Sequence, residues 1–190
     1  MEFRWALVAC LGVLVFGTLK GIVVAIIISL LGLASQEARP NLYVIGRKRG
    51  ADVLRPLSPE HPDDETFPGL LILRPEGRIF FFNAGPLGER MLALAEEHQP
   101  RVVLLDLSRV PDIEYSALQA LIEGERRARE RGFALWLSGL NPGVLEVVRN
   151  AGLADRLGRD QLLFNTRLAI QRYQALPQAV ESVAGPGVGD

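Results

Sequence analysis

One cysteine in 190 residues, Cys10, excludes an internal disulfide and any cysteine-rich zinc site. The two histidines, His61 and His98, lie too far apart in sequence to form an H-x-x-x-H ligand pair. Charge of one sign is missing as well. Against 21 Lys+Arg stand 22 Asp+Glu, a formal net charge of -1, which excludes a general electrostatic grip on nucleic acid. Enzyme signatures are absent too: there is no G-x-S-x-G elbow, no G-x-x-x-x-G-K-[ST] loop, no G-x-G-x-x-G after a strand and no H-E-x-x-H. The many carboxylates form no pair that sequence alone places in a pocket. The chain is therefore read as non-enzymatic, with no catalytic, cofactor-binding or metal-ligating residue and no cofactor.

What is present is asymmetric. Residues 5–33 carry a single charge, Lys20, whereas the remainder has the mixed charge of a water-soluble body. The head splits at Lys20 into two apolar runs, 5–19 and 21–35. As helices each spans roughly 22 Å, short of the roughly 30 Å hydrocarbon layer, and joined without a break they overshoot it. Gly17, Lys20 and Gly21 supply a place to bend, and a lysine there can reach water. The expectation is one bent or two short transmembrane helices over 1–35. A secretory signal peptide starting at Arg4 is the alternative. Against it, the apolar stretch resumes after residue 19 and no small-x-small cleavage site follows the first run. Arg39, Arg47, Lys48, Arg49 and Arg55 crowd the downstream flank, which by the positive-inside rule turns the body to the cytoplasmic side of the inner membrane.

Residues 36–68 hold Pro40, Pro56, Pro59, Pro62 and Pro68 and an acidic cluster, Asp63, Asp64 and Glu65. That composition reads as a linker with no packed core. Residues 70–74 (LLILR) and 78–82 (RIFFF) flank Pro75-Glu76-Gly77 and read as a hairpin, with Phe80–Phe82 as sheet core. Residues 84–98 form a helix with Leu87, Met91, Leu94 and Ala95 inward. Residues 101–107 (RVVLLDL) are a strand buried on both faces. Residues 114–131 are the longest clear helix, stopped by Gly132. Strand 133–138 holds Trp136 as a core residue. A turn at Asn141-Pro142-Gly143 caps helix 143–150. A weak strand at 161–164 and a last helix at 166–176, with Leu168, Ala169 and Tyr173 inward, complete the body. The alternation gives an α/β domain over 69–176 with a mostly parallel sheet covered by helices. The Gly/Pro-rich tail, 177–190, reads as disordered.

Chemistry concentrates in residues 105–118 (LDLSRVPDIEYSAL). A buried strand ends at Asp106-Leu107-Ser108, and a turn through Asp112 leads to Glu114-Tyr115-Ser116 at a helix start. Strand carboxyl ends beside helix N-termini are the usual ligand edge of open α/β sheets. A helix N-terminus also tolerates a phosphate on serine. Asp106, Ser108, Asp112, Glu114 and Ser116 are thus regulatory or interaction candidates, and plain helix capping is the competing account. The charge-dense stretch 123–131 is a solvated helix face or a docking surface.

These residues carry a resemblance. VVLLDLSRVPDIEYSALQAL, followed by GFALWLSGLNPGVLEVVRNAGLADRLG, resembles a STAS domain, the module of sulphate transporters and anti-sigma-factor antagonists. VLVFGTLKGIVVAIIISLLGLASQEARP, VIGRKRGADVLRP and FPGLLILRPEGRIFFFNA are similar, in order, to the last membrane segments, linker and first STAS strands of the SulP anion-transporter family. The resemblance implies a C-terminal portion of a secondary transporter of sulphate, bicarbonate or related anions, not transport-competent alone. Its implied partners are the membrane, the remainder of the transporter's membrane domain, a second copy as a homodimer, and a regulatory protein. Ser116 matches the serine that phospho-regulated antagonists carry at this helix start. Glu114, Tyr115 and Ala117 depart from their Asp-Ser-Ser-Gly-like motif and stand closer to the transporter form. A partner-switching phospho-module built on Ser116 is the rival expectation, and an enzyme with an unrecognised site is the second rival.

Overall fold

The computed structural model describes residues 18–37 and 41–177. The first apolar run up to residue 17, with the signal-peptide reading that rests on it, lies outside the described residues. So do Arg39 and Pro40, and all but the first residue of the tail.

Helix α1 (Thr18–Glu37) comes first. It runs unbroken through Lys20 and Gly21, so the break expected at those two residues is not there. Nine of its large aliphatic side chains, from Leu19 to Leu33, are exposed. Among the described residues no helix is long and apolar enough to cross a membrane. The run 21–35 reaches about 22 Å at 1.5 Å per residue.

The body is one six-stranded mixed sheet in the order β2-β1-β3-β4-β5-β6. The strands are β1 (Asn41–Arg47), β2 (Leu54–Pro56), β3 (Leu70–Glu76), β4 (Val102–Asp106), β5 (Ala134–Ser138) and β6 (Leu162–Leu163). β3 through β6 are parallel, and β1 is antiparallel to both β2 and β3. α2 (Phe81–His98), α3 (Tyr115–Glu130), α4 (Pro142–Asn150), α5 (Leu153–Leu157) and α6 (Thr166–Gln174) connect and cover it.

Continuous apolar strands explain the layering, because alternate side chains go to opposite faces. Leu71, Leu73, Val103, Leu105, Leu135 and Leu137 point to one face and pack with Leu87, Ala95, Leu118, Val144, Val148 and Leu153. Leu70, Ile72, Val102, Leu104 and Trp136 point to the other, where Ala169 and Ile170 of α6 cover them. Tyr173 meets the Trp136 ring edge-on at 6.4 Å, and its hydroxyl donates to the Pro68 carbonyl at 2.8 Å.

Several expectations are corrected. Residues 41–56, expected as linker without a core, supply two strands, with Leu42 and Ile45 buried. The prolines fall outside β1, and the acidic cluster supplies partners: Arg47 pairs with Glu65 at 2.7 Å, Arg55 with Asp64 at 2.7 Å and Arg49 with Asp63 at 3.7 Å. The Arg55 bond holds the Asp64 carboxyl below its usual range. The hairpin is also wrong. β3 takes β1 as its antiparallel partner, with Asn41 opposite Glu76, and helix α2 begins at Phe81. Asn83 fixes that start: Phe80 N–H donates to its Oδ1 at 2.9 Å, and its Nδ2 donates to the Arg78 carbonyl at 2.9 Å. Phe81 and Phe82 therefore lie on an exposed first turn instead of in a sheet. Leu168, expected inward, is exposed, and Ile170 takes the inward place.

Candidate functional site

The carboxyl ends of β3 through β6 form one edge, and all five candidate residues lie along it. Asp106 closes β4 with 1% of its surface exposed. Its Oδ2 accepts from Arg74 Nε at 2.8 Å and lies 2.8 Å from Arg74 Nη2, while Oδ1 accepts the Ser108 N–H at 3.0 Å. Burial acts to raise its pKa. The Ser108 side-chain and backbone bonds and the Arg74 charge outweigh that, and the carboxyl titrates below its ordinary value. Gly139, just past β5, sits against this pair at φ +70. A Cβ there would lie 3.0 Å from Ser108 Cβ and 3.1 Å from Asp106 Oδ1. Asp106 is thus buried and satisfied, while Ser108, bonded to it, remains exposed.

Asp112 and Glu114 form a second group, tied to residues 78–81. Asp112 Oδ2 accepts from Arg78 Nη2 at 2.8 Å, and its carbonyl accepts the Ile79 N–H at 3.1 Å. Glu114 precedes α3 without capping it through its side chain. Its Oε2 instead accepts the Phe81 N–H at 3.2 Å, placing negative charge at the start of α2. Ser116, the second residue of α3, is exposed, and Tyr115 beside it is 59% exposed.

Sequence reasoning missed Arg74, Gly139 and Thr166. Arg74 ends LLILR, but its place beside Asp106 follows only from the register Leu73 opposite Leu105. Thr166 bonds the buried Ser138 hydroxyl at 3.1 Å. Asn141 caps α4 as expected, accepting from Val144 N–H at 2.9 Å, and also donates to the carbonyls of Val110 and Pro111 at 3.0 Å each.

The charged stretch of α3 is only partly a solvated face. Glu123, bonded by Arg126 and Arg127, is lowered to about 2. Glu125 is buried between Arg129 and Arg156, the latter at 3.1 Å, and so ties α3 to α5. Between α2 and α3 lies an apolar cavity of about 60 Å³ lined by Leu87, Met91, Leu121 and Gly124 among others. Among the described residues no group of three or more His, Cys, Asp or Glu is placed to hold a metal.

A family model described as "STAS domain" matches residues 61–169. Over 184 residues the chain is 28% identical to high affinity sulfate transporter 2 of Stylosanthes hamata, covering 90% of this chain and 28% of that protein. The chain thus spans less than a third of that relative's length. In structure it is similar to the murine Solute Carrier 26 family member A9 anion transporter in its inward-facing state, with a TM-score of 0.76 at 17% identity, covering 90% of this chain and 28% of that one. A sulfate transporter family protein from Wolinella succinogenes has a TM-score of 0.51 at 23% identity, covering 62% and 96%. At those identities both structures speak for the fold alone.

Proposed function

The chain belongs to the STAS domain family, and on that premise we propose that it is the membrane-anchored, cytoplasm-facing regulatory and docking module of a SulP-type anion transporter. By itself it moves no anion. One observation carries this reading. The family match spans little more than half of the chain, whereas the likeness to the sulfate transporter spans 90% of it. The extra length lies outside residues 61–169 and draws in the apolar head or the strands that follow it, which a free antagonist domain does not need. The exposed aliphatic surface of α1 agrees, since it has no place in water.

The expected site of protein contact is the face of α3 that runs from Ser116 to the charged stretch 123–131, meeting the transporter's membrane portion or a regulatory protein. The test is fractionation of cells expressing the full chain. It should stay with the membranes after alkaline carbonate extraction, and in inverted vesicles the body should be open to protease. Recovery in the soluble fraction would overturn the reading. The exposure of Ser116 at a helix start favours a second reading, a phospho-switch at that residue. Phosphate incorporation in cells that disappears in Ser116→Ala would support it.

A further inference from the structure

The exposed apolar residues of the body are not scattered. Among the described residues seven large ones are exposed outside α1: Val53, Leu57, Phe81, Phe82, Tyr115, Phe164 and Leu168. Five of these lie at the carboxyl edge of the parallel strands. Phe81 and Phe82 follow β3 in the first turn of α2, and Tyr115 opens α3. Phe164 follows β6, and Leu168 is in the first turn of α6. Phe164 is 85% exposed, and the Phe81 and Phe82 rings lie against each other at 4.2 Å in the open.

Register places the end of α1 at this same edge. β1 is antiparallel to β3 and starts with Asn41 opposite Glu76, so the chain enters the sheet beside the start of α2. From the end of α1 at Glu37 to Asn41 are four Cα steps, at most about 15 Å. The opposite end of β1, with Arg47, Lys48 and Arg49, is a strand length away, roughly 20 Å.

We propose that this aromatic edge is a second membrane contact, seated in the interfacial layer of the bilayer that holds the apolar head. The proposal rests on the membrane reading above. A lipid surface suits the edge because its apolar groups are spread along the whole rim, and no single groove gathers them. Its charge is largely self-paired, Arg78 with Asp112 and Arg74 with Asp106. The seat is therefore aromatic, not coulombic, and does not require anionic lipid.

The test uses the full chain with Cys10→Ser, carrying an environment-sensitive fluorophore on Phe82→Cys, Phe164→Cys or Val53→Cys. All three sites are exposed, so labelling leaves the core intact. Each variant is reconstituted into phosphatidylcholine vesicles with bromine on the upper acyl chains. The expected result is a blue shift and bromine quenching at 82 and 164, with neither at 53. Chain that floats with the vesicles but is unquenched at 82 and 164 overturns this seat and leaves the membrane reading standing. Chain that does not float overturns both. A blue shift that grows with chain density without bromine quenching assigns the edge to a second copy and overturns the lipid seat.

Discussion

Asp106 keeps its charge inside the protein because Arg74 and the Ser108 amide hold it there. Replacing it by Asn leaves the half-buried Arg74 guanidinium without its counter-charge. Asp106→Asn should cost about 3 kcal/mol in urea unfolding at neutral pH. The pH dependence has a definite sign. The folded pKa is lowered, so the contribution is complete above about pH 4 and is lost as the pH falls through the folded value. Wild-type stability should therefore fall more steeply in acid than that of Asp106→Asn, with the gap between the curves closing below about pH 4. Gly139 separates strain from crowding. Gly139 and Gly132 both have positive φ, but only Gly139 has neighbours within reach of a Cβ. Gly132→Ala should cost about 1 kcal/mol from the backbone alone, and Gly139→Ala measurably more, read as a larger drop in Tm.

At the scale of the element, two helix starts show different solutions. α4 is capped by its own Asn141, whose side chain also staples the preceding turn through two carbonyls. Asn141→Ala removes both functions and should cost about 2 kcal/mol. Asn141→Asp keeps the cap oxygen but loses the donors, and should fall between the two in thermal unfolding. α2 is closed from within by Asn83 and from outside by Glu114. Phe81 and Phe82, on that first turn, add little to the fold. Replacing both by serine should leave urea stability within about 0.5 kcal/mol, while removing the proposed membrane seat.

At the scale of the molecule, the sheet is covered among the described residues by four helices on one side and by α6 on the other. Protection should follow that order. In amide hydrogen exchange of the full chain, Val103, Leu104 and Leu105 of the central strand should exchange slowest, close to the global unfolding rate. β2 and the two-residue β6 at the sheet edges should exchange much sooner. The same topology sets where the proposed membrane seat falls. The cations counted in the sequence for orientation, Arg47 to Arg49, lie at the end of β1 away from the end of α1, and Arg47 and Arg49 are paired with acids there. The end nearest α1 carries aromatic residues instead.

The sequence alone determined the alternation of β4, α3, β5, α4 and α6, the burial of β4 on both faces and the Asn141 cap. Each of these is written in neighbouring residues, as apolar period, capping side chain or terminal glycine. The family resemblance was legible for the same reason, since residues 102–121 and 132–158 are each a local pattern. Tertiary structure decided what depends on pairing between distant segments. LLILR takes β1 as its partner because antiparallel register buries Leu42 and Ile45, and adjacency in sequence does not count. Arg74 belongs to Asp106 because β3 lies beside β4. The phenylalanines at 81 and 82 read as strand core by composition, but Asn83 turned them into the open start of a helix. Side-chain chemistry named the elements; long-range strand order chose which of their ends lie together at the carboxyl edge.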